Sequence, residues 1–140
     1  MSNPMLRERQ VTSASTPRTR VAISFGSPAG DSGVTRLDLN DILIRHPQAA
    51  FLMHVAGSAM HEAGIDDGDL LLVDRALDAS HGQVVIAVLR DEFVCRRLCR
   101  QAEQLGLEAT DPAVPTHWAS EGDSFEVWGV VTHVIKQVSI

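Results

Sequence analysis

The stretch that most constrains this chain runs from Gly57 to Asp74. It opens with Gly57-Ser58-Ala59-Met60, a tight turn of small residues that leaves the apolar run Phe51-Leu52-Met53. A second turn follows, Gly64-Ile65-Asp66-Asp67-Gly68-Asp69. Glycine there tolerates positive φ, and aspartate caps nearby backbone N–H groups. The chain then enters Leu70-Leu71-Leu72-Val73-Asp74, a short continuous apolar run of the kind that forms a buried strand.

The rest of the body reads the same way. Strands are expected over Ala49–Val55, Gln83–Leu89, Phe93–Leu98 and, more weakly, Leu105–Ala109. The second and third of these form a hairpin around Arg90-Asp91-Glu92. Residues 111–116, with Pro112 and Pro115, form a loop. The β-branched run Phe125–Val138 reads as two pieces joined near Gly129. One helix is expected, capped by Asp38 and running through Ile44, with Leu39, Ile42 and Leu43 at helical spacing. Pro47 stops it. The fold class is therefore mainly β, with one or two short helices.

Residues 1–22 are rich in Ser, Thr, Pro, Arg and Gln and read as a flexible arm. A strand-like patch, Val21–Phe25, and a turn-rich linker, Gly26–Gly33, complete it. The division expected is an arm over 1–33 and a folded domain over 34–140. A chain of 140 residues suffices for one core.

Charge is unevenly placed. Arg7, Arg9, Arg18 and Arg20 against Glu8 give the first twenty residues a local +3, which leaves −9 on the rest of a chain totalling −6. An acidic body argues against direct nucleic-acid binding. No apolar run approaches the roughly eighteen residues of a membrane span. No apolar signal core opens the chain, so a cytoplasmic protein with reduced Cys95 and Cys99 is expected.

Reactive residues are few. Cys95 and Cys99 have arginines beside them that favour a thiolate, but small apolar strand residues are the simpler reading. His54, His61, His81 and His133 form no helix-spaced metal pair. Asp66, Asp67 and Asp69 lack the twelve-residue pattern of a calcium loop, and turn capping accounts for them. No metal and no cofactor are expected.

The two turns together, Gly-x-Ser-Met-like and then Gly-Ile-x-x-Gly-Asp, resemble the LexA/UmuD family of self-cleaving serine peptidases. Leu37-Asp38-Leu39-Asn40 through His46-Pro47, Ala79-Ser80-His81-Gly82 and Val127–Val134 are similar to its UmuD members more than to LexA. The resemblance covers about residue 23 to the end. It implies twisted, partly open β-barrel-like sheets behind an N-terminal arm. The family's nucleophilic serine precedes the methionine, a position held here by Ala59. Its general-base lysine matches Arg96, and the scissile bond falls between Ile23 and Ser24, where small residue-glycine is usual.

These departures remove the chemistry. Alanine offers no nucleophile, and arginine stays protonated and cannot take a proton. Ser58 lies one position early. The chain's single lysine, Lys136, sits in the last strand, where the family does not use it as base. Three departures together favour natural divergence over an engineered block. The expectation is a UmuD-like accessory protein of the SOS response that does not cut itself. The resemblance implies a homodimer, a Y-family translesion polymerase partner (UmuC-like), the RecA–DNA filament, and pairing with an active relative. Val127–Val138 is the candidate dimer seam, or equally a central core strand pair. The alternatives are an active RecA-stimulated peptidase using Ser58, and a LexA- or phage-repressor-like regulator. The latter is discounted because residues 1–33 are too short and polar for a helix-turn-helix core.

Overall fold

The computed structural model describes residues 6–10, 36–120, 122 and 124–139. In chain order its elements are β1 (Leu6–Gln10), α1 (Leu39–Leu43), β2 (Ala50–Val55), β3 (Leu70–Asp74), β4 (Val84–Leu89), β5 (Glu92–Gln101), β6 (Gln104–Glu108), β7 (His117–Trp118) and β8 (Phe125–Ile135). Single 3-10 turns occupy Pro47–Ala49 and His61–Ala63. The strands form one eight-stranded sheet in the order β1-β2-β3-β8-β4-β5-β6-β7. Every pairing is antiparallel. The mainly β expectation holds.

Alternation along the strands builds two cores. Met53, Val55, Met60, Ile65, Leu71, Val73, Ile86 and Cys95 pack in one cluster. Val85, Ala87, Leu98, Leu107 and Val130 pack in another. Val85 and Ile86 are adjacent in β4 and belong to different clusters, so the sheet buries both faces. The β4–β5 hairpin closes on Arg90-Asp91 alone, with φ of 52° and 64°. Two consecutive positive φ values suit the right-handed twist of the flanking strands.

Two expectations change. Leu6–Gln10, placed in a flexible arm, pairs along β2 with Leu6 opposite Val55 and Gln10 opposite Phe51. The free edge of β2 supplies unpaired backbone groups, and strand addition there needs no apolar side-chain pattern. Phe125–Ile135 is one strand, not two pieces. Its register slips where Ile86 faces Gly129 and Ala87 faces Val127, so Trp128 bulges beside the glycine. A Cβ on Gly129 would sit 2.6 Å from Val73 Cγ1, so the bulge needs glycine. In the sheet order β8 lies between β3, which pairs with its residues 130–135, and β4, which pairs with its residues 125–130.

The helix is as expected: Asn40 N–H donates to Asp38 Oδ1 at 3.0 Å. Its Leu39 and Ile42 are nevertheless more than half exposed, at 56% and 57%.

Candidate functional site

The small-residue turn follows β2 directly. Gly57 holds a φ of 101°, open to glycine at little cost. Its N–H donates to Asp67 Oδ1 at 2.7 Å, which ties the first turn to the second. Ile65 N–H donates to the Met60 carbonyl at 3.3 Å, and Gly68 N–H to the Val55 carbonyl at 2.7 Å. Ile65 then drops into the core, 2% exposed.

A segment distant in sequence grips the same turn. The Ala59 carbonyl accepts from Thr110 N at 3.0 Å and Asp111 N at 3.1 Å. The Thr110 hydroxyl donates to it at 3.1 Å and accepts from Glu62 N at 3.1 Å. Nothing in the local spacing marks Thr110, because it meets Ala59 across 51 residues.

The turn forms one wall of a pocket and β5 forms the other. Val55, Ala56, Gly57, Ala59, Met60, Ile65, Cys95 and Arg96 line about 280 Å³ of empty space, part of it open to solvent. Ala59 and Arg96 thus face one cavity. Ser58 is exposed and does not line it. Ile23 and Ser24, the expected cleavage position, lie outside the described residues.

The pocket's electrostatics are unusual for a hydrolytic site. Arg96 Nη1 donates to the Cys95 carbonyl at 2.7 Å. Burial lowers the Arg96 pKa, and the neighbouring Cys95 opposes that shift. Burial pushes the Cys95 thiol up to about 12, against the pull of Arg96. The thiol is neutral near pH 7 and supplies no nucleophile. Cys99 is also raised, first by burial and then by Glu108.

Charge gathers instead on the second turn. Lys136 pairs with Asp66 Oδ2 at 2.7 Å and with Asp69. His61 pairs with the other oxygen of Asp66. Asp69 Oδ2 also accepts from Asp66 N at 2.8 Å, so capping is only part of what these aspartates do. The remaining histidines are dispersed: His54 is exposed, His81 Nδ1 accepts from Arg100 N at 2.8 Å, and His133 meets the Thr132 hydroxyl at 2.9 Å. His46, not singled out by its sequence context, pairs with buried Asp74 at 2.6 Å. Among the described residues no group of three or more His, Cys, Asp or Glu side chains is placed to hold a metal. None of their helices is long and apolar enough to cross a membrane.

A pocket formed by a small-residue turn after one strand and a cation on another is the setting the sequence resemblance implies. Comparison with known proteins decides the matter: residues 16–132 match the Peptidase S24-like family. The chain belongs to that family, the LexA/UmuD peptidases, and is UmuD-like. It is 38% identical to protein MucA of Salmonella typhimurium over 81% of this chain and 78% of MucA. It is 39% identical to protein ImpA of Shigella flexneri, over 84% of this chain and 80% of ImpA. The LexA repressor of Paracidovorax citrulli is 37% identical but matches over 64% of this chain and 40% of the repressor. Coverage of the UmuD-like relatives is thus the fuller.

Proposed function

We propose that this chain is a UmuD-like accessory protein of SOS mutagenesis that does not cleave itself. Ala59 holds the family's nucleophile position and Arg96 its general-base position. The observation that carries the reading is that these two residues line one pocket with neither a hydroxyl nor a neutral amine between them. Attack on a peptide carbonyl needs both a nucleophile and an acceptor for its proton. Exposed Ser58, outside the lining, and the protonated Cys95 thiol do not replace them. Ile23-Ser24 as scissile pair adds a third obstacle, a β-branched residue where a small one is usual.

As a permanently uncut form, the protein would act by binding. Its partners would be a Y-family, UmuC-like polymerase subunit, the RecA–DNA filament, a second copy, and an active relative whose cleavage it alters. Its acidic body fits recruitment through proteins rather than direct DNA contact, and a cytoplasmic location follows from those partners. A dimer seam would use the C-terminal end of the Val127–Val138 stretch, where Val134, Ile135 and Val138 are exposed.

The test is the mass of the full chain after incubation with RecA filaments on single-stranded DNA, and separately at alkaline pH. The chain should stay intact. The variant carrying Ala59→Ser, Arg96→Lys, Ile23→Ala and Ser24→Gly should be shortened at the altered bond. Shortening of the unaltered chain near residue 23, with contaminating proteases excluded, would overturn the proposal.

A further inference from the structure

We propose that Thr110 is a positioning residue for the family's cleavage reaction, and that it still holds position 59 in working geometry although the reacting side chains are gone. It rests on the reading that Ala59 stands at the family's nucleophile position.

A residue has only two soft backbone dihedrals, so fixing the peptide planes on either side of residue 59 fixes the direction of its Cβ. The plane before it is held locally. The Ser58 carbonyl accepts from His61 N at 3.2 Å. The plane after it is held from far along the chain. Thr110 N, Asp111 N and the Thr110 hydroxyl donate to the Ala59 carbonyl at 3.0, 3.1 and 3.1 Å. A carbonyl oxygen has two lone pairs, and three donors saturate it. The next carbonyl, of Met60, accepts from Ala63 N at 3.0 Å and Ile65 N at 3.3 Å. A side chain placed at 59 therefore keeps little freedom beyond its own χ1.

The Thr110 hydroxyl does what the two backbone donors cannot. It donates to the Ala59 carbonyl and accepts from Glu62 N at 3.1 Å. It thus joins the exit of the small-residue turn to the 3-10 turn His61–Ala63, whose first N–H makes the local lock. Thr110 is itself anchored on both sides. Ala109 packs against the core cluster of Met53 and Ile86. Asp111 closes a turn of its own, its Oδ1 accepting from Ala113 N at 2.9 Å and its carbonyl from Val114 N at 3.0 Å. On the turn's side the clamp uses only backbone atoms of residues 59 and 62. Changing the side chain at 59 leaves every one of these bonds in place, so loss of the nucleophile does not loosen the turn that once aimed it.

The test starts from the full chain repaired by Ala59→Ser, Arg96→Lys, Ile23→Ala and Ser24→Gly, with self-cleavage followed by intact mass at alkaline pH. Adding Thr110→Val should slow cleavage per folded molecule about tenfold, because a slightly displaced nucleophile loses its alignment with the carbonyl it attacks. Thr110→Ala is a second hydroxyl deletion and should slow it alike, should valine not fold. Thr110→Ser keeps the hydroxyl and should bring the rate back to within about twofold. All three should leave the midpoint of the rate's pH profile where the repaired chain has it, since none touches position 96. The folded fraction is read from the amide NMR spectrum, which separates a slow variant from an unstable one. In the chain with Ala59 and Arg96 unaltered, Thr110→Val should move the carbonyl carbon-13 signal of Ala59 and Thr110→Ser should not. An unchanged rate without the hydroxyl, Thr110→Ser as slow as Thr110→Val, an Ala59 carbonyl signal that stays put, or a repaired chain that never cuts would each overturn the proposal. None of those results touches the inert reading, which falls only if the unaltered chain shortens itself.

Discussion

The pocket at Ala59 and the turn at Gly64–Asp69 share Ile65, yet they handle charge in opposite ways. The pocket holds one guanidinium with no carboxylate among the described residues and a thiol forced to stay neutral. The turn joins exposed Asp66, buried Asp69, the chain's only lysine and a histidine in one network. The ion pairs that brace the turn connect it to the chain just past β8, while the pocket sets Arg96 among apolar side chains. The braced turn and the pocket lie in adjacent segments.

The largest effect that would sharpen this contrast is thiol reactivity. At pH 8, raising a thiol from 9.0 to about 12 lowers its thiolate fraction about a thousandfold. Iodoacetamide should therefore spare Cys95 in the native protein and modify it on unfolding, as read by peptide mass spectrometry. Rapid native modification of Cys95 would mean that the pocket is wetter and more reactive than its geometry.

Next comes Ile65, where the two regions meet. Ile65→Ala should cost about 2–5 kcal/mol in urea unfolding, through lost burial and the cavity left behind. It should also move the Ala59 amide signal. A cost below about 1 kcal/mol would show that the two regions are not mechanically joined.

Thr110→Val keeps the shape but removes the hydroxyl that bonds the Ala59 carbonyl and Glu62 N. The expected loss is about 1 kcal/mol, since the backbone N–H bonds from Thr110 and Asp111 remain.

The smallest effect belongs to the ion-pair network of the second turn. The Asp66 hydrogen bond, then its charge, raise the His61 pKa above 6.5. That stabilisation is complete below pH 6.5 and is lost as pH rises through the raised value. Lys136 and then His61 lower Asp66 below 3.8, so its share is present above pH 3.8 and lost as pH falls through the lowered value. Asp66 and Asp69 raise Lys136 above 10.5, so its share persists until strongly alkaline pH. The network is strongest between about pH 4 and 6.5. His61→Gln should flatten a small decline in the thermal midpoint from pH 6 to 8, and Lys136→Met should lower the midpoint across the whole range. A steep decline that survives His61→Gln would assign the pH response elsewhere.

Much of this molecule is legible in local sequence because burial follows local alternation. Leu70–Asp74 is a strand over the expected residues, and β4 and β5 pair as the expected hairpin. Asp38 caps α1 because a side-chain oxygen two residues before an N–H reaches it whatever lies beyond. Other features carry no such signal. Arg90 and Asp91 take positive φ without glycine, so the two-residue turn looks like an ordinary charged loop. Gly129 reads locally as a joint between two pieces, and only the pairing of β8 with β4 shows one continuous strand with a bulge at Trp128.

Sequence alone determined the kinds of elements, the absence of a hydroxyl or amine at Ala59 and Arg96, and the family resemblance that gives those positions meaning. Side-chain chemistry and short-range periodicity are properties of neighbouring residues, and a chain read in order displays them. Tertiary structure decided what meets what: Arg96 facing Ala59 across a pocket, Thr110 holding the turn, Lys136 bracing Asp66 and Asp69, and Leu6–Gln10 on the edge of β2. Those contacts depend on strand order and register, which many distant pairings set together, so no local window of residues contains them.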